Sequence, residues 1–163
     1  MKQIILSVIL TLFTFSIFAQ GGWTKQKGTY FAKLDFSRLS ADTYYNLTGD
    51  ALSTNTFTQN SINWYAEYGV SDRFTVVSSM PLLRVNAFET SEPVYGIGDL
   101  RLDFKYRLHP TFPISISVAP ELPIGRSNAF SSSKTDPSDR INLPTGDGEF
   151  NVWTTLAASG SIG

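Results

Sequence analysis

One stretch of strict alternation constrains the fold of this chain more than any other feature. In residues 98–108 the apolar side chains occupy every second position: Leu100, Leu102, Phe104, Tyr106 and Leu108. The positions between them all carry a charge: Asp99, Arg101, Asp103, Lys105 and Arg107. A period of two indicates a β-strand with one apolar and one charged face. Such a strand is expected in a barrel with an apolar outside and a polar interior. The alternative is an amphipathic strand of a soluble sheet.

Similar alternation elsewhere predicts an all-β chain of about six strands. The predicted strands cover residues 28–38, 57–70, 74–83, 98–108, 112–122 and 149–159. Pro81 is expected to weaken the pairing of its strand, because proline cannot donate a ladder hydrogen bond. The phase of the last strand is ambiguous, because Trp153 lies opposite Phe150, Val152 and Leu156. Residues 40–56, 84–96 and 123–146 are rich in polar and turn-forming residues and are predicted to be loops.

The predicted connections alternate between long and short along the chain. Long loops follow the first, third and fifth strands, and short turns follow the second and fourth. Outer-membrane barrels show this asymmetry, with short periplasmic turns and long external loops. Aromatic residues also lie near strand ends, as they do at membrane interfaces: Trp23, Tyr30, Phe57, Phe74, Phe112 and Phe150. These features favour an antiparallel up-and-down transmembrane β-barrel.

The first residues of the chain, 1–19, predict a secretory signal peptide. Lys2 supplies the charged start, residues 4–18 are largely apolar, and Ala19 is the small residue at the expected cleavage site. The alternative is an N-terminal membrane helix, but no positively charged flank follows the apolar run. We therefore expect residues 20–163 to be an exported β-barrel domain in the outer membrane of a Gram-negative cell.

Composition excludes several kinds of site. The chain of 163 residues is about one domain, and its formal net charge of −1 gives no indication of a nucleic-acid partner. Cysteine is absent, which excludes disulfides, thiolate metal sites, a cysteine nucleophile and a lipoprotein anchor. The single histidine, His109, lies in a predicted short turn, far from the serine-rich residues 131–133. A serine nucleophile needs such a base, so we do not expect an enzyme, and no cofactor or metal site is predicted.

Three segments resemble a known family in order and spacing. Residues 96–108 resemble the "G-hydrophobic-GD…KYR" strand of outer-membrane transporters linked to meta-pathway phenol degradation. Residues 143–148 are similar to the "LPTGD" segment of that family, and residues 67–73 resemble its "YG-x-[ST]-[DE]-[RN]" turn. The resemblance covers roughly residues 28–159. It implies a barrel of about a dozen strands and a role in uptake of small hydrophobic or aromatic solutes.

The number of strands departs from this family. The smallest single-chain outer-membrane barrels have eight strands, and six strands would leave two open edges in the bilayer. The terminal aromatic residue that usually ends such barrels is also missing. We expect the remaining strands of the same protein to be absent, so that this sequence is C-terminally truncated. The alternative is that further strands lie within the predicted loops.

The charged positions of the predicted strands are the candidate site residues. They are expected to face the barrel lumen and to set its polarity: Lys33, Asp35, Glu67, Asp99, Arg101, Asp103, Lys105, Arg107 and Glu121. The alternative is that these charges pair with one another and fill the interior.

The sequence is compatible with three functions. The first is an outer-membrane transporter or porin for small hydrophobic or aromatic solutes, with outer-membrane lipid around it. The second is a structural or adhesive barrel with a plugged interior. The third is a secreted soluble β-sandwich, which requires Leu102 and Phe104 to be buried while Arg101 or Lys105 faces solvent.

Overall fold

A computed structural model describes residues 21–160 of the chain. The predicted signal peptide, residues 1–19, lies outside these described residues. Between residues 21 and 160 the regular structure consists of β-strands. No helix in this part of the chain is long and apolar enough to cross a membrane.

In the described residues, nine strands form one large antiparallel sheet and one small hairpin. In chain order they are β1 (Tyr30–Tyr45), β2 (Ala51–Ser71), β3 (Phe74–Phe88), β4 (Val94–Gly96), β5 (Leu100–Arg107), β6 (Ile114–Leu122), β7 (Phe130–Ser132), β8 (Arg140–Asn142) and β9 (Asn151–Ala158). The large sheet has the order β1-β2-β3-β5-β6-β9, and β4 pairs with β3 beside the start of β5. This sheet curls into a half-barrel, and β7 and β8 form the separate hairpin.

Within residues 21–160 the prediction of an all-β fold with six main strands is confirmed, because each predicted strand overlaps one long strand of the sheet. The prediction of a loop over residues 40–56 is wrong. There β1 and β2 continue as a paired hairpin as far as Tyr45 and Ala51, joined by a short turn. This extension is rich in threonine, asparagine and serine. Because these residues are also typical of loops, a polar strand that extends beyond the core is not recognisable from its composition.

The other two predicted loops also contain regular structure. In residues 84–96, β3 continues to Phe88 and pairs with β4. In residues 123–146, β7 and β8 form a hairpin. Both segments are short and rich in polar residues, so their alternation extends over too few residues to be recognised in the sequence.

A β-bulge at Leu82 reverses the phase of β3. Asn63 pairs with Pro81 while its neighbour Ile62 pairs with Leu83, so Leu82 is the additional residue. The expected disturbance at Pro81 is therefore present. Beyond the bulge the even-numbered side chains of β3 change face, and Arg84 joins the polar face.

In a soluble sheet the apolar face is buried and the polar face is exposed, and the half-barrel shows the reverse. The outer face is apolar and exposed: Leu34 is 62%, Phe36 68% and Leu156 68% accessible. The inner face is polar and is covered near its middle, where Thr75 and Ser115 are each 1% accessible. The sandwich alternative requires Leu102 and Phe104 to be buried, whereas Phe104 is exposed and Leu102, like Lys105, is half-buried.

Both edges of the large sheet are unpaired within residues 21–160. The strand β1 pairs only with β2, and β9 pairs only with β6. Each edge therefore presents a row of unpaired backbone N–H and C=O groups.

Candidate functional site

The candidate site is the polar inner face of the half-barrel. Ladder pairing carries most of the predicted charged positions onto this face. Asp35 lies opposite Asn63, Lys105 opposite Thr75, and Arg101 opposite Glu121. The predicted residues found on this side of the sheet are Lys33, Asp35, Glu67, Arg101, Asp103, Lys105, Arg107 and Glu121, with Asp99 just before β5.

Some of these charges pair locally along one strand. Lys33 lies 3.4 Å from Asp35 on the edge strand β1, where both side chains are well exposed. Arg101 lies 3.7 Å from Asp103 on β5. Exposed or loosely spaced pairs of this kind contribute little to stability, because solvent screens them. The inner face is therefore polar and partly paired.

The segment of residues 21–28 crosses the inner face at the end of the short turns. At one side of the sheet the Gly22 amide donates to Ser159 Oγ at 2.9 Å. In the middle, the Lys25 amide donates to Thr75 Oγ1 at 2.8 Å, and Lys105 Nζ donates to the Gly21 carbonyl at 2.5 Å. Beside β2, Lys25 Nζ lies 3.5 Å from Glu67. This segment covers the buried threonine and serine side chains at that end.

A second segment folds over the inner face at the opposite end. We call residues 123–147 the cap. Three inner-face side chains hold it: Arg84 Nη1 donates to the Thr145 carbonyl at 2.8 Å, and Asn86 Nδ2 donates to the Pro144 carbonyl at 2.6 Å. Asp99 accepts the Gly125 amide at 2.9 Å and the Asp147 amide at 2.8 Å, one on each carboxylate oxygen. The cap is thus attached from β3 as well as from the start of β5.

Two of the segments that carry the family resemblance meet at this attachment. Asp99 of residues 96–108 contacts residues 146 and 147 of the "LPTGD"-like segment. A Cβ at Gly146 would lie 2.7 Å from Asp99 Oδ2, a distance that side-chain carbons essentially never show. Glycine at position 146 is therefore required sterically, because a larger residue would displace the carboxylate from its two amide donors.

A small apolar cluster seals the far end of the cap. Val94, Ala129 and Leu143 are buried together, and the rings of Phe57 and Phe88 pack against them. The two ring centroids lie 5.3 Å apart. This is the one cluster of buried apolar residues in the described part of the chain, and it lies where the cap covers the sheet.

A polar cavity remains between the cap and the middle of the sheet. Its volume is about 450 Å³, within the range of small-molecule sites. The lining residues are Asn63, Trp64, Ser79, Met80, Pro81, Arg84, Asp99, Arg101, Glu121 and Asp147. A smaller cavity of about 180 Å³ lies towards the segment of residues 21–28 and shares Arg101 with the first.

Sequence reasoning misses three residues of this site. Arg84 falls in a predicted loop, because the bulge at Leu82 hides its alternation. Asp147 lies in the cap rather than in a strand. Trp153 points to the inner face, where its Nε1 donates to Glu121 Oε2 at 2.8 Å and its ring stacks on Arg101. In the sequence, the position of Trp153 opposite the apolar residues of the last predicted strand is the one sign that it faces the interior.

The single histidine and the serine-rich segment lie at opposite ends of the sheet. His109 lies in the β5–β6 turn, where Nδ1 accepts the Phe112 amide at 2.9 Å. Ser131 and Ser132 lie in β7, within the cap at the opposite end. Within residues 21–160 no group of three or more His, Cys, Asp or Glu residues is placed to hold a metal ion.

Comparison with known proteins identifies no relative. No family model matches the chain, and no curated protein or solved structure matches it at a significant level. The similarity to outer-membrane transporters linked to phenol degradation therefore stays a prediction from the three segments described above.

Proposed function

We propose that this chain is part of an outer-membrane β-barrel that passes small solutes through its lumen. The observation that carries the proposal is the reversed burial of the half-barrel, with an exposed apolar outer face and a polar inner face whose middle is buried. Water favours the opposite arrangement, because apolar surface leaves water at a gain of about 25 cal/mol per Å². A lipid environment removes that cost and suits this surface.

The dimensions of the apolar outer face support a membrane location. On β6 the outer positions from Ile114 to Leu122 carry no charge, and this strand spans about 30 Å at roughly 3.3 Å per residue. A tilted strand of about this length crosses the hydrocarbon layer of a membrane. On β1 the uncharged outer positions end at Arg38, which lies opposite Asn60.

An arc of aromatic side chains borders the apolar face at the end of the short turns. Tyr30 lies opposite Tyr68, and Phe74 lies opposite Tyr106. Tyrosine is favoured at the membrane–water interface, where its ring is buried and its hydroxyl stays hydrated. The arc supports a boundary of the membrane at this end of the sheet.

A closed barrel requires partners for the free edges of β1 and β9. An unpaired backbone group in hydrocarbon costs several kcal/mol, so open sheet edges are not found in contact with lipid. We propose that further strands of the same protein pair with both edges and complete the barrel. Its proposed location is the outer membrane, reached through the predicted signal peptide.

Heat-modifiability on a gel tests the barrel. The complete gene product and this 163-residue chain are each expressed and fractionated. We expect the complete product in the outer-membrane fraction, where the unboiled sample migrates faster than the boiled one because a closed barrel resists detergent. We expect no such shift for the 163-residue chain. Recovery of both forms in the soluble fraction, without a shift, would contradict the proposal.

A plugged structural barrel is the second candidate function. It is favoured by the two segments that cover the inner face, residues 21–28 at one end and the cap at the other. Channel conductance in planar bilayers separates the candidates. A transporter or porin with a permanent passage gives measurable conductance, whereas a plugged barrel inserts without conducting.

A further inference from the structure

We propose that the cavity beneath the cap binds a small organic carboxylate. The inference rests on the proposed transport function and names the class of solute that the lumen would recognise. It depends on a difference between the acidic and basic side chains that line the cavity. The acidic groups have hydrogen-bond partners within the chain, whereas the guanidinium groups retain donors that are not used.

The acidic side chains of the cavity are already occupied by donors. Both oxygens of Asp99 accept backbone amides of the cap. Asp147 accepts the Glu149 amide at 2.9 Å and Asn151 Nδ2 at 2.8 Å, again one on each oxygen. Glu121 accepts the indole N–H of Trp153. These carboxylates are used to hold the cap and the edge strand β9 in place.

The two arginines of the cavity are less completely used. Arg84 donates through Nη1 to Thr145, while its Nε is buried and has no partner within the described residues. A buried donor without a partner destabilises the empty site, and a ligand that accepts its hydrogen bond removes that cost. Arg101 contacts a carboxylate only at 3.7 Å and stacks on the ring of Trp153, with 5.7 Å between its Cζ and the ring centroid. Each guanidinium group carries five donors, so both retain capacity for a ligand.

A carboxylate is the ligand group that matches these donors. Arginine binds a carboxylate through two parallel N–H···O bonds, which are stronger than bonds between neutral groups. Pro81, which lies opposite Asn63 on the inner face, provides an apolar surface in the same cavity. The cavity therefore suits a ligand with one carboxylate and a small apolar body.

Calorimetric titration of the complete gene product, purified in detergent, with benzoate tests this site. Benzylamine and benzyl alcohol serve as probes of similar size with a positive charge and no charge. We expect benzoate to bind at least about tenfold more tightly than either, because its carboxylate accepts charge-assisted hydrogen bonds that the other two probes do not offer. Equal binding of the three probes, or no binding of benzoate, would overturn the proposal.

Substitutions in the cavity locate the binding. Arg84→Gln and Arg101→Gln should each weaken benzoate binding about tenfold or more. Arg140→Gln removes the same charge from β8, outside the cavity, and should leave binding unchanged. Glu121→Gln keeps an acceptor for Trp153 but removes a negative charge, and should strengthen binding about twofold to fivefold. The site is refuted if the two cavity arginine variants bind like the unmodified protein, or if Glu121→Gln weakens binding.

The two experiments can refute the binding site and the barrel independently of each other. A heat-modifiable protein that does not bind benzoate would refute this site and leave the barrel proposal standing. A protein that binds benzoate through Arg84 and Arg101, but is soluble without detergent, would refute the barrel and leave the binding site standing.

Discussion

At the scale of single residues, Asp99 determines how the cap is attached to the sheet. Its two carboxylate oxygens bind two amides that are far apart in the cap sequence, those of Gly125 and Asp147. A carboxylate can do this because it only accepts hydrogen bonds. The carboxylate leaves no space for a side chain at Gly146, and the Gly146 backbone leaves none at Gly125.

Asp99→Asn should loosen the cap without unfolding the sheet. The amide group has one acceptor oxygen, and its NH₂ group would face a backbone N–H, so one of the two bonds is lost. We expect the free energy of opening of the cap to fall by about 1–3 kcal/mol. Hydrogen exchange of the Gly125 and Asp147 amides measures this change.

Asp139→Asn is the matched control for this prediction. Asp139 is exposed in the same segment, and its side chain makes no hydrogen bond with any residue between 21 and 160. It should leave exchange in the cap unchanged. Equal exchange of the Gly125 and Asp147 amides in the Asp99→Asn variant and the unmodified protein would show that Asp99 does not hold the cap.

The sequence predicts the face of a charged residue where the alternation is unbroken. It predicts that Arg101, Asp103 and Lys105 share one face of β5, as they do in the structure, because charges at five alternate positions define the phase. It misses Arg84, because the extra residue Leu82 reverses the phase of β3 at a point that only the pairing with β2 reveals. The attachment of Asp99 to the cap depends on a contact between residues distant in sequence, which periodicity does not report.

At the scale of elements, the β1–β2 hairpin is the clearest departure from the predicted layout. Its turn is held by side chains: Asn46 Oδ1 accepts the amides of Thr48 and Asp50 at 3.0 and 2.8 Å. Gly49 occupies the left-handed region with φ of 89°, which glycine adopts without strain. These residues are the usual signals of a turn, but they fill the middle of a polar stretch in which the strands themselves are also polar.

The turn of this hairpin should depend on pH through Asp50. Hydrogen bonds from Thr48 and Asn46 hold the pKa of the Asp50 carboxyl below its ordinary value. A lowered pKa means that the charged form stabilises the folded turn. This contribution is complete above the ordinary aspartate pKa and is lost as the pH falls through the lowered value.

Amide exchange of Thr48 and Gly49 measured between pH 6 and pH 2, after correction for intrinsic rates, checks this prediction. Protection should decline at the acidic end of the range. In Asp50→Asn this additional decline should disappear, because the titrating group is gone. A decline of the same size in both proteins would show that another group controls the turn.

At the scale of the whole molecule, the sequence predicts the architecture better than the connections. The alternation in six segments is sufficient for an antiparallel sheet with one polar and one apolar face. It does not reveal that the longest predicted loop folds back over the polar face, because that arrangement depends on Arg84, Asn86 and Asp99 together. Our central proposal is that the exposed apolar face contacts lipid and the charged face does not.

Adjacent threonines on β9 allow this proposal to be tested with a matched pair. Thr154 lies on the outer face opposite Val118, and Thr155 lies on the inner face opposite Ser117. Both side chains are exposed, and both lie midway along the strand. Thr154→Arg and Thr155→Arg therefore introduce the same charge at the same depth on opposite faces.

The deciding measurement is the free energy of unfolding of each variant in phosphatidylcholine vesicles, determined by urea titration of the complete gene product. Thr154→Arg should lower the free energy of unfolding by about 2–4 kcal/mol, the cost of arginine at the middle of a bilayer. Thr155→Arg should change it by less than about 1 kcal/mol, because its side chain reaches the polar interior. Equal values for the two variants, or a larger loss for Thr155→Arg, would contradict the assignment of the apolar face to lipid.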